Sequence, residues 1–321
     1  MNTIAIRTSS LRRDFGPIHA VDDVSLEIAA GTVFGFLGPN GAGKTTTIRL
    51  LLGLLEPSGG RAEVLGFDTR TQADDIRQHS GALLEHSGLY ERLTADDNLE
   101  FYGRVWHMSK ADRQARILGL LTDMGLWERR KEAVGTWSRG MKQKLAVART
   151  LLHRPTLVFL DEPTAGLDPV AAAALRDDLS ALATREGVTI FLTTHNLAEA
   201  EKLCQRVGVI NKGRLLAIST LDELRAHNEV PRLEITGSGF SEAMLSKLRA
   251  RPEVRGVAEK SGKLSIDLQP GVPTAPLVRL LVESGADVEE VHKGKASLEE
   301  LFLTLVEEET ETPGVSKAPG F

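Results

Sequence analysis

Apolar residues fall in short unbroken runs along the first two thirds of the chain. "TVFGFLG", "TLVFLDE", "VTIFLTTH" and "VGVINKG" are each too short for a helix and too apolar for one-sided burial. They predict strands covered on both faces, as in a parallel sheet. "DVSLEIAAG" alternates instead, with Val24, Leu26 and Ile28 on one side, and predicts a half-buried strand. From Asp96 to about Thr150 the apolar spacing becomes helical, in "ADDNLEFYGRVWHM" and "SKADRQARILGLLTDMGL". Thr94 with Asp97 and Ser109 with Asp112 have the form of helix N-caps followed by an acid in the first turn. A further helix is expected in "LDPVAAAALRDDLSALATREG", capped by Asp168, opened by Pro169 and stopped by Gly187. The pattern describes an α/β core over residues 1–225, with a helical block inserted at about residues 86–150.

Past "EVPRLEITGSG" the period shortens. Strand-like and helical stretches follow in the order β-α-β-β-α-β, which predicts a small α+β domain over residues 226–308. Within it, "SLEELFLTLVEEE" puts Leu298, Leu301, Phe302 and Leu305 on one helical stripe. That stripe packs either on its own domain or on a second copy. Residues 309–321, polar and bearing Pro and Gly, are expected to be disordered.

Candidate chemistry sits where these elements meet. "GPNGAGKTT" completes the spacing G-x-x-x-x-G-K-[ST] with Gly38, Gly43, Lys44 and Thr45, between an apolar strand and "TTIRLLLGLL", which reads as a helix. Glycines let backbone N–H groups close on a phosphate chain, and the helix N-terminus favours its charge. The expected nucleotide contacts are Gly38, Pro39, Asn40, Gly41, Ala42, Gly43, Lys44, Thr45 and Thr46. Lys44 is placed on the β- and γ-phosphates, and the Thr45 hydroxyl on Mg²⁺. A second strand ends in Asp161 and Glu162, candidates for holding Mg²⁺ and for polarising the attacking water. An ordinary strand ending in solvent would carry acids too, and only the next stretch separates the two readings.

Composition narrows the class. The net charge of −5 over 321 residues gives no broad basic field for nucleic acid. The single cysteine, Cys204, excludes an intrachain disulfide and a cysteine-based metal cluster. No apolar stretch is long enough to cross a membrane, and no secretory signal is read at the start. Work at a membrane would need a partner there.

"WSRGMKQKLAVARTLLHRPTLVFLDEPTAGLDP" resembles the ATP-binding-cassette (ABC) family of transporter ATPases. The family's signature loop has the consensus L-S-G-G-Q. Ser138 and Gly140 fit it, while Trp137, Arg139 and Met141 depart in the manner of an exporter-branch variant. "AGLD", Ala165–Asp168, resembles the D-loop, and His195 in "TTH" the switch histidine at the γ-phosphate. Phe15 matches the aromatic position that stacks on adenine, unless it is a core residue. Glu85 stands where the family has a glutamine that helps ligate Mg²⁺, and meets the cation directly or through water. The resemblance spans roughly residues 3–225, and the remainder is similar to the extension of daunorubicin-resistance-like exporters.

The resemblance implies a motor subunit that binds ATP and Mg²⁺ and hydrolyses ATP, with Glu162 and His195 catalytic. Thr45, Glu85 and Asp161 would hold the metal. Two copies would sandwich two ATPs, so that Ser138 and Gly140 serve the partner's nucleotide. A separate integral membrane permease would carry the cargo, placing this chain at the cytoplasmic face of the cell membrane. Two other classes remain open: a soluble cassette acting on ribosomes or nucleic acid, and a regulatory ATP-binding module without turnover.

Overall fold

The computed structural model describes residues 3–220, 223, 231–260, 262–269 and 271–295. The predicted helix at "SLEELFLTLVEEE" and the polar tail lie outside these residues. The chain forms two compact units, Met1–Leu221 and Asp222–Phe321.

The first unit holds a six-stranded sheet in the order β10-β9-β3-β8-β7-β6. Its strands are β3 (Val33–Leu37), β6 (Ser80–Leu83), β7 (Leu157–Asp161), β8 (Thr189–Thr194), β9 (Arg206–Asn211) and β10 (Arg214–Thr220). All pair in parallel except β10, which returns antiparallel from β9 as an edge. Every residue of β3, β7 and β8 is buried, as their unbroken apolar runs predict. Phe191 lies at the centre, with the rings of Phe34, Phe36 and Phe159 at 5.6, 5.4 and 5.7 Å. Parallel registry carries the strand ends to one edge: Leu37 pairs with Thr194, and Asp161 with Thr193. Loops leaving a parallel sheet on that edge are where ligands bind in open α/β folds.

An antiparallel sheet of β1 (Ile4–Phe15), β2 (Ile18–Ala29), β4 (Gly59–Val64) and β5 (Phe67–Asp68) belongs to the same unit. Its inward residues, among them Ile6, Leu11, Val24, Leu26, Ile28 and Val64, share one core with the phenylalanines.

Helices α1 (Lys44–Leu51), α2 (Ala73–His79), α3 (Ala95–Val105), α4 (Lys110–Asp123), α5 (Arg139–Leu151), α6 (Pro169–Glu186) and α7 (Leu197–Leu203) complete it. The caps of α3, α4 and α6 are those the sequence indicates. Thr94 accepts from the Asp97 N–H, Ser109 from Asp112, and Asp168 from Val170 and Ala171. Gly187 ends α6 in the left-handed region, at φ 62°. The helix after the glycine loop stops earlier than its apolar run. Leu52 caps α1, and Gly53, at φ 63°, turns the chain.

At the α3 end, Trp106 stacks on His153, with ring centroids 3.9 Å apart. His153 Nε2 faces the Ser80 carbonyl at 3.1 Å. Burial pushes the His153 imidazole down from 6.5 to about 4, so it stays neutral in the folded protein over that range. The unfolded chain binds a proton there that the folded chain does not. The stability held by a neutral His153 is therefore complete above about 6.5 and lost as pH falls toward about 4. Urea unfolding midpoints should fall on acidification through this window. His153→Phe, which keeps an aromatic ring on Trp106, should flatten the fall; identical pH profiles for the two proteins would contradict it.

The second unit contains β11 (Pro231–Ser238), α8 (Glu242–Arg249), β12 (Val254–Lys260), β13 (Lys263–Leu268), α9 (Ala275–Glu283) and β14 (Asp287–Lys295). Its antiparallel sheet has the order β12-β13-β11-β14. Leu233 pairs with Ile266 and Ile235 with Leu264 on the buried face, against Met244, Leu245 and Leu248 of α8 and Leu277 and Leu281 of α9. Arg232 and Asp267 form an ion pair at 2.6 Å across the same two strands.

Candidate active site

The loop between β3 and α1 is built on two close approaches. A Cβ on Gly38 would sit 2.4 Å from the Ile210 carbonyl oxygen, and one on Gly43 2.3 Å from that of Ala20. Gly43 also has φ 105°, so only glycine serves there. These contacts turn the loop tightly into α1. The Gly38 and Ala42 N–H groups donate to the Thr194 and Pro39 carbonyls, and the first-turn N–H groups of α1 are the ones that suit an anion.

Lys44, the first residue of α1, is 6% exposed. Its ammonium donates to the carbonyls of Gly38 at 2.7 Å and Pro39 at 3.1 Å. It also lies 3.1 Å from a Glu162 carboxylate oxygen. The other Glu162 oxygen is 2.6 Å from His195 Nδ1. Glu162 itself has φ 51°, an uncommon backbone for a non-glycine residue, which costs on the order of 1 kcal/mol. Its N–H is held by both the carbonyl and the hydroxyl of Thr193, each at 3.1 Å.

Asp161 is 8% exposed and accepts from two hydroxyls, Thr45 at 2.6 Å and Thr193 at 2.5 Å. The adjacent acids at the end of β7 thus have separate partners. Asp161 faces hydroxyls, and Glu162 faces a lysine and a histidine.

A cleft of about 540 Å³ joins these groups. Asn40, Gly41, Ala42, Gly43, Lys44, Thr45, Thr46, Glu85, Asp161, Glu162 and His195 all line it. Glu85 pairs with Arg49, one turn along α1, at 3.3 Å. Gly38 and Pro39 contribute their carbonyls to Lys44. Phe15, Ser138 and Gly140 stand elsewhere. Phe15 is 44% exposed, with the Arg13 guanidinium 4.7 Å above one ring face. Ser138 caps α5 by accepting from the Met141 N–H. Gly140 admits α6, since a Cβ there would come within 2.9 Å of the Ala171 methyl.

Two further residues, Glu199 and Gln143, hold this site and escaped the sequence reading; a third, Arg139, stands in the sequence only as a charged departure from the signature consensus. Glu199, on α7, is 4% exposed. It accepts from the hydroxyls of Thr164 and Thr194, which flank Glu162 and His195, and Arg176 lies 3.9 Å away. Gln143 donates to the Pro163 carbonyl at 2.6 Å. Arg139 lines the cleft and donates to the Ala165 carbonyl at 2.8 Å. The only sequence signal for Glu199 is an acid on the apolar side of a short helix, beside Ala200. For Gln143 there is only a long polar side chain in the second turn of a helix, and for Arg139 a charge where the signature consensus has a small residue.

A glycine loop opening a helix, its buried lysine, and two adjacent acids at the end of a parallel strand define a P-loop nucleoside triphosphatase. The comparisons with known proteins carry this further. The ABC transporter family model matches residues 21–165. The bacitracin transport ATP-binding protein BcrA of Bacillus licheniformis is 36% identical over 306 residues, covering 95% of this chain and 98% of the relative. The daunorubicin/doxorubicin resistance ATP-binding protein DrrA of Streptomyces peucetius is 36% identical over 314 residues, covering 94% and 92%. A dimeric ATP-binding cassette bound to ADP and Pi superposes with a TM-score of 0.60 at 25% identity, covering 67% of this chain and 98% of that one. The chain belongs to the ABC transporter family of ATP-binding proteins, and its activity is that of an ABC transporter ATPase.

Proposed function

We propose that this protein is the motor of a drug exporter, working as a nucleotide-sandwich dimer beneath a separate permease at the cytoplasmic face of the membrane. The observation that carries the reading is similarity over nearly the whole chain, second unit included, to proteins of bacitracin transport and daunorubicin resistance. No helix among the described residues is long and apolar enough to cross a membrane, so the cargo path is assigned to another chain.

Each site residue takes a role its geometry supports. The loop N–H groups and Lys44 bind the β- and γ-phosphates. A γ-phosphate there offers Lys44 and His195 a second anion beside Glu162, leaving that carboxylate to take up the proton of an attacking water. Thr45 and Asp161 present a hydroxyl and a carboxylate oxygen 2.6 Å apart. Oxygen donors in so small a number suit Mg²⁺, which keeps waters and phosphate oxygens as its other ligands. Mg²⁺ bound there would neutralise charge on the phosphates. Glu85, paired with Arg49, would meet the cation directly or through water. Phe15 offers its open ring face to adenine, and Ser138 and Gly140 begin the helix that faces the partner's ATP.

On the inserted helical block, the rings of Tyr90 and Phe101 meet edge to face at 5.1 Å, and both stay more than two fifths exposed. Val105 extends the patch. Exposed apolar surface of this kind marks a docking face, and we assign it to the permease. The test is purification of the tagged protein from detergent-solubilised membranes. A stoichiometric integral membrane protein should accompany it and be lost with Phe101→Asp. Recovery of the ATPase alone, or with ribosomes, would defeat the reading.

A further inference from the structure

The residue after the capping serine is the sharpest departure from the family's signature loop, an arginine in place of a small residue. Electrostatics alone would send its charge outward, toward the partner's γ-phosphate. The geometry turns it inward. Arg139 Nη2 donates to the Ala165 carbonyl at 2.8 Å. Its guanidinium lies flat on Gly166, where a Cβ would stand 2.4–2.5 Å from Nη1, Cζ and Nη2. One turn along α5, Gln143 donates to the Pro163 carbonyl at 2.6 Å. The first two turns of α5 thereby grip two carbonyls within the four residues that follow Glu162. On the other side, Glu199 takes the Thr164 hydroxyl.

We infer that Arg139 and Gln143 are positioning residues, which fasten the Pro163–Gly166 segment to α5 and so aim the Glu162 carboxylate of their own chain. The coupling is short. Pro163 has its φ locked by its ring, and Ala165 N–H bonds back to the Glu162 carbonyl at 3.0 Å. Between Glu162 and the gripped carbonyls little torsional freedom is left. A charged donor on a carbonyl makes a stronger hydrogen bond than a neutral one, and no small side chain at position 139 reaches Ala165. The helix whose Ser138 end meets the partner's nucleotide is thus tied to the acid that works on its own. This rests on the proposed shared site.

Full-length Arg139→Ala should lose about tenfold in kcat, the scale of an orientation defect, with KM for ATP changed less than about twofold. Arg139→Lys, which keeps one charged donor, should recover part of the loss. Circular dichroism checks that both fold. Mixed dimers decide which site Arg139 serves. In a dimer of one Arg139→Ala and one Lys44→Ala subunit, only the P-loop of the Arg139→Ala subunit can turn over. An arginine acting on its own chain's acid puts the defect in that working site. The mixed dimer then falls as far below a wild-type/Lys44→Ala reference as the Arg139→Ala homodimer falls below wild type. An arginine acting on the partner's nucleotide puts the defect in the disabled site, and the mixed dimer would match the reference, overturning the inference.

A second measurement needs no mixed dimer. Gly166→Ala should lower kcat several-fold more in the wild-type background than in Arg139→Ala, where no guanidinium meets the new methyl. Equal losses in both backgrounds would also overturn the inference. A reference dimer no more active than Lys44→Ala homodimers would count against independent shared sites, while the Gly166 comparison still decides the role of Arg139.

Discussion

Glu162→Gln is expected to lower ATP turnover by about 10²–10⁴-fold, the range for loss of a positioned general base, while ATP still binds. The substitution is nearly isosteric, and the left-handed backbone at Glu162 and its two bonds to Thr193 need not change. What changes is basicity. The amide can orient a water but cannot take up its proton. It also removes the anion 3.1 Å from Lys44, which frees the ammonium for phosphate. Affinity for ATP should therefore hold or rise as kcat collapses. Steady-state phosphate release and equilibrium nucleotide binding, measured on the same preparation, separate the two. A near-normal rate would show that another group serves as the base.

Lys44→Ala should produce the opposite division. Removing one partner of a buried, hydrogen-bonded charge pair costs about 2–5 kcal/mol in binding, roughly 30- to 4,000-fold in affinity. Lys44 is the only side-chain cation within the glycine loop, it is 6% exposed, and no solvated lysine replaces it. The Gly38 and Pro39 carbonyls and one Glu162 oxygen lose their donor together. Weak binding in a chain still folded by circular dichroism is the expected result. Binding within twofold of wild type, with turnover alone reduced, would move Lys44 from phosphate capture to the chemical step.

Much of the site was legible because its parts are local. The glycine loop is nine consecutive residues, and its backbone demands act within one turn. The caps Thr94, Ser109, Ser138 and Asp168 bond to N–H groups two or three residues ahead, so their spacing in sequence is their spacing in space. Strands buried on both faces declare themselves as unbroken apolar runs. Less legible was the antiparallel sheet, where "IAIRTSSLRRDF" mixes polar and apolar residues because one face is wet and bulges interrupt its register.

Sequence alone determined which residues are chemically able to act: the glycines that admit a phosphate, the lysine at the head of a helix, the acids that end an apolar strand, and the histidine that ends the next. Which of them touch was decided by the sheet. Parallel pairing of β3, β7 and β8 brings Lys44 to Glu162 across 118 positions of chain, and Glu162 to His195 across 33. No local pattern carries that proximity. The same holds for Glu199 and Arg139, whose partners Thr164 and Ala165 lie 35 and 26 residues away. A buried carboxylate and an inward-turned guanidinium look like surface charges in a linear sequence. Only packing shows that water has been removed from around one and that a backbone carbonyl has been set before the other. Desolvation and distance, not residue type, make them part of the site.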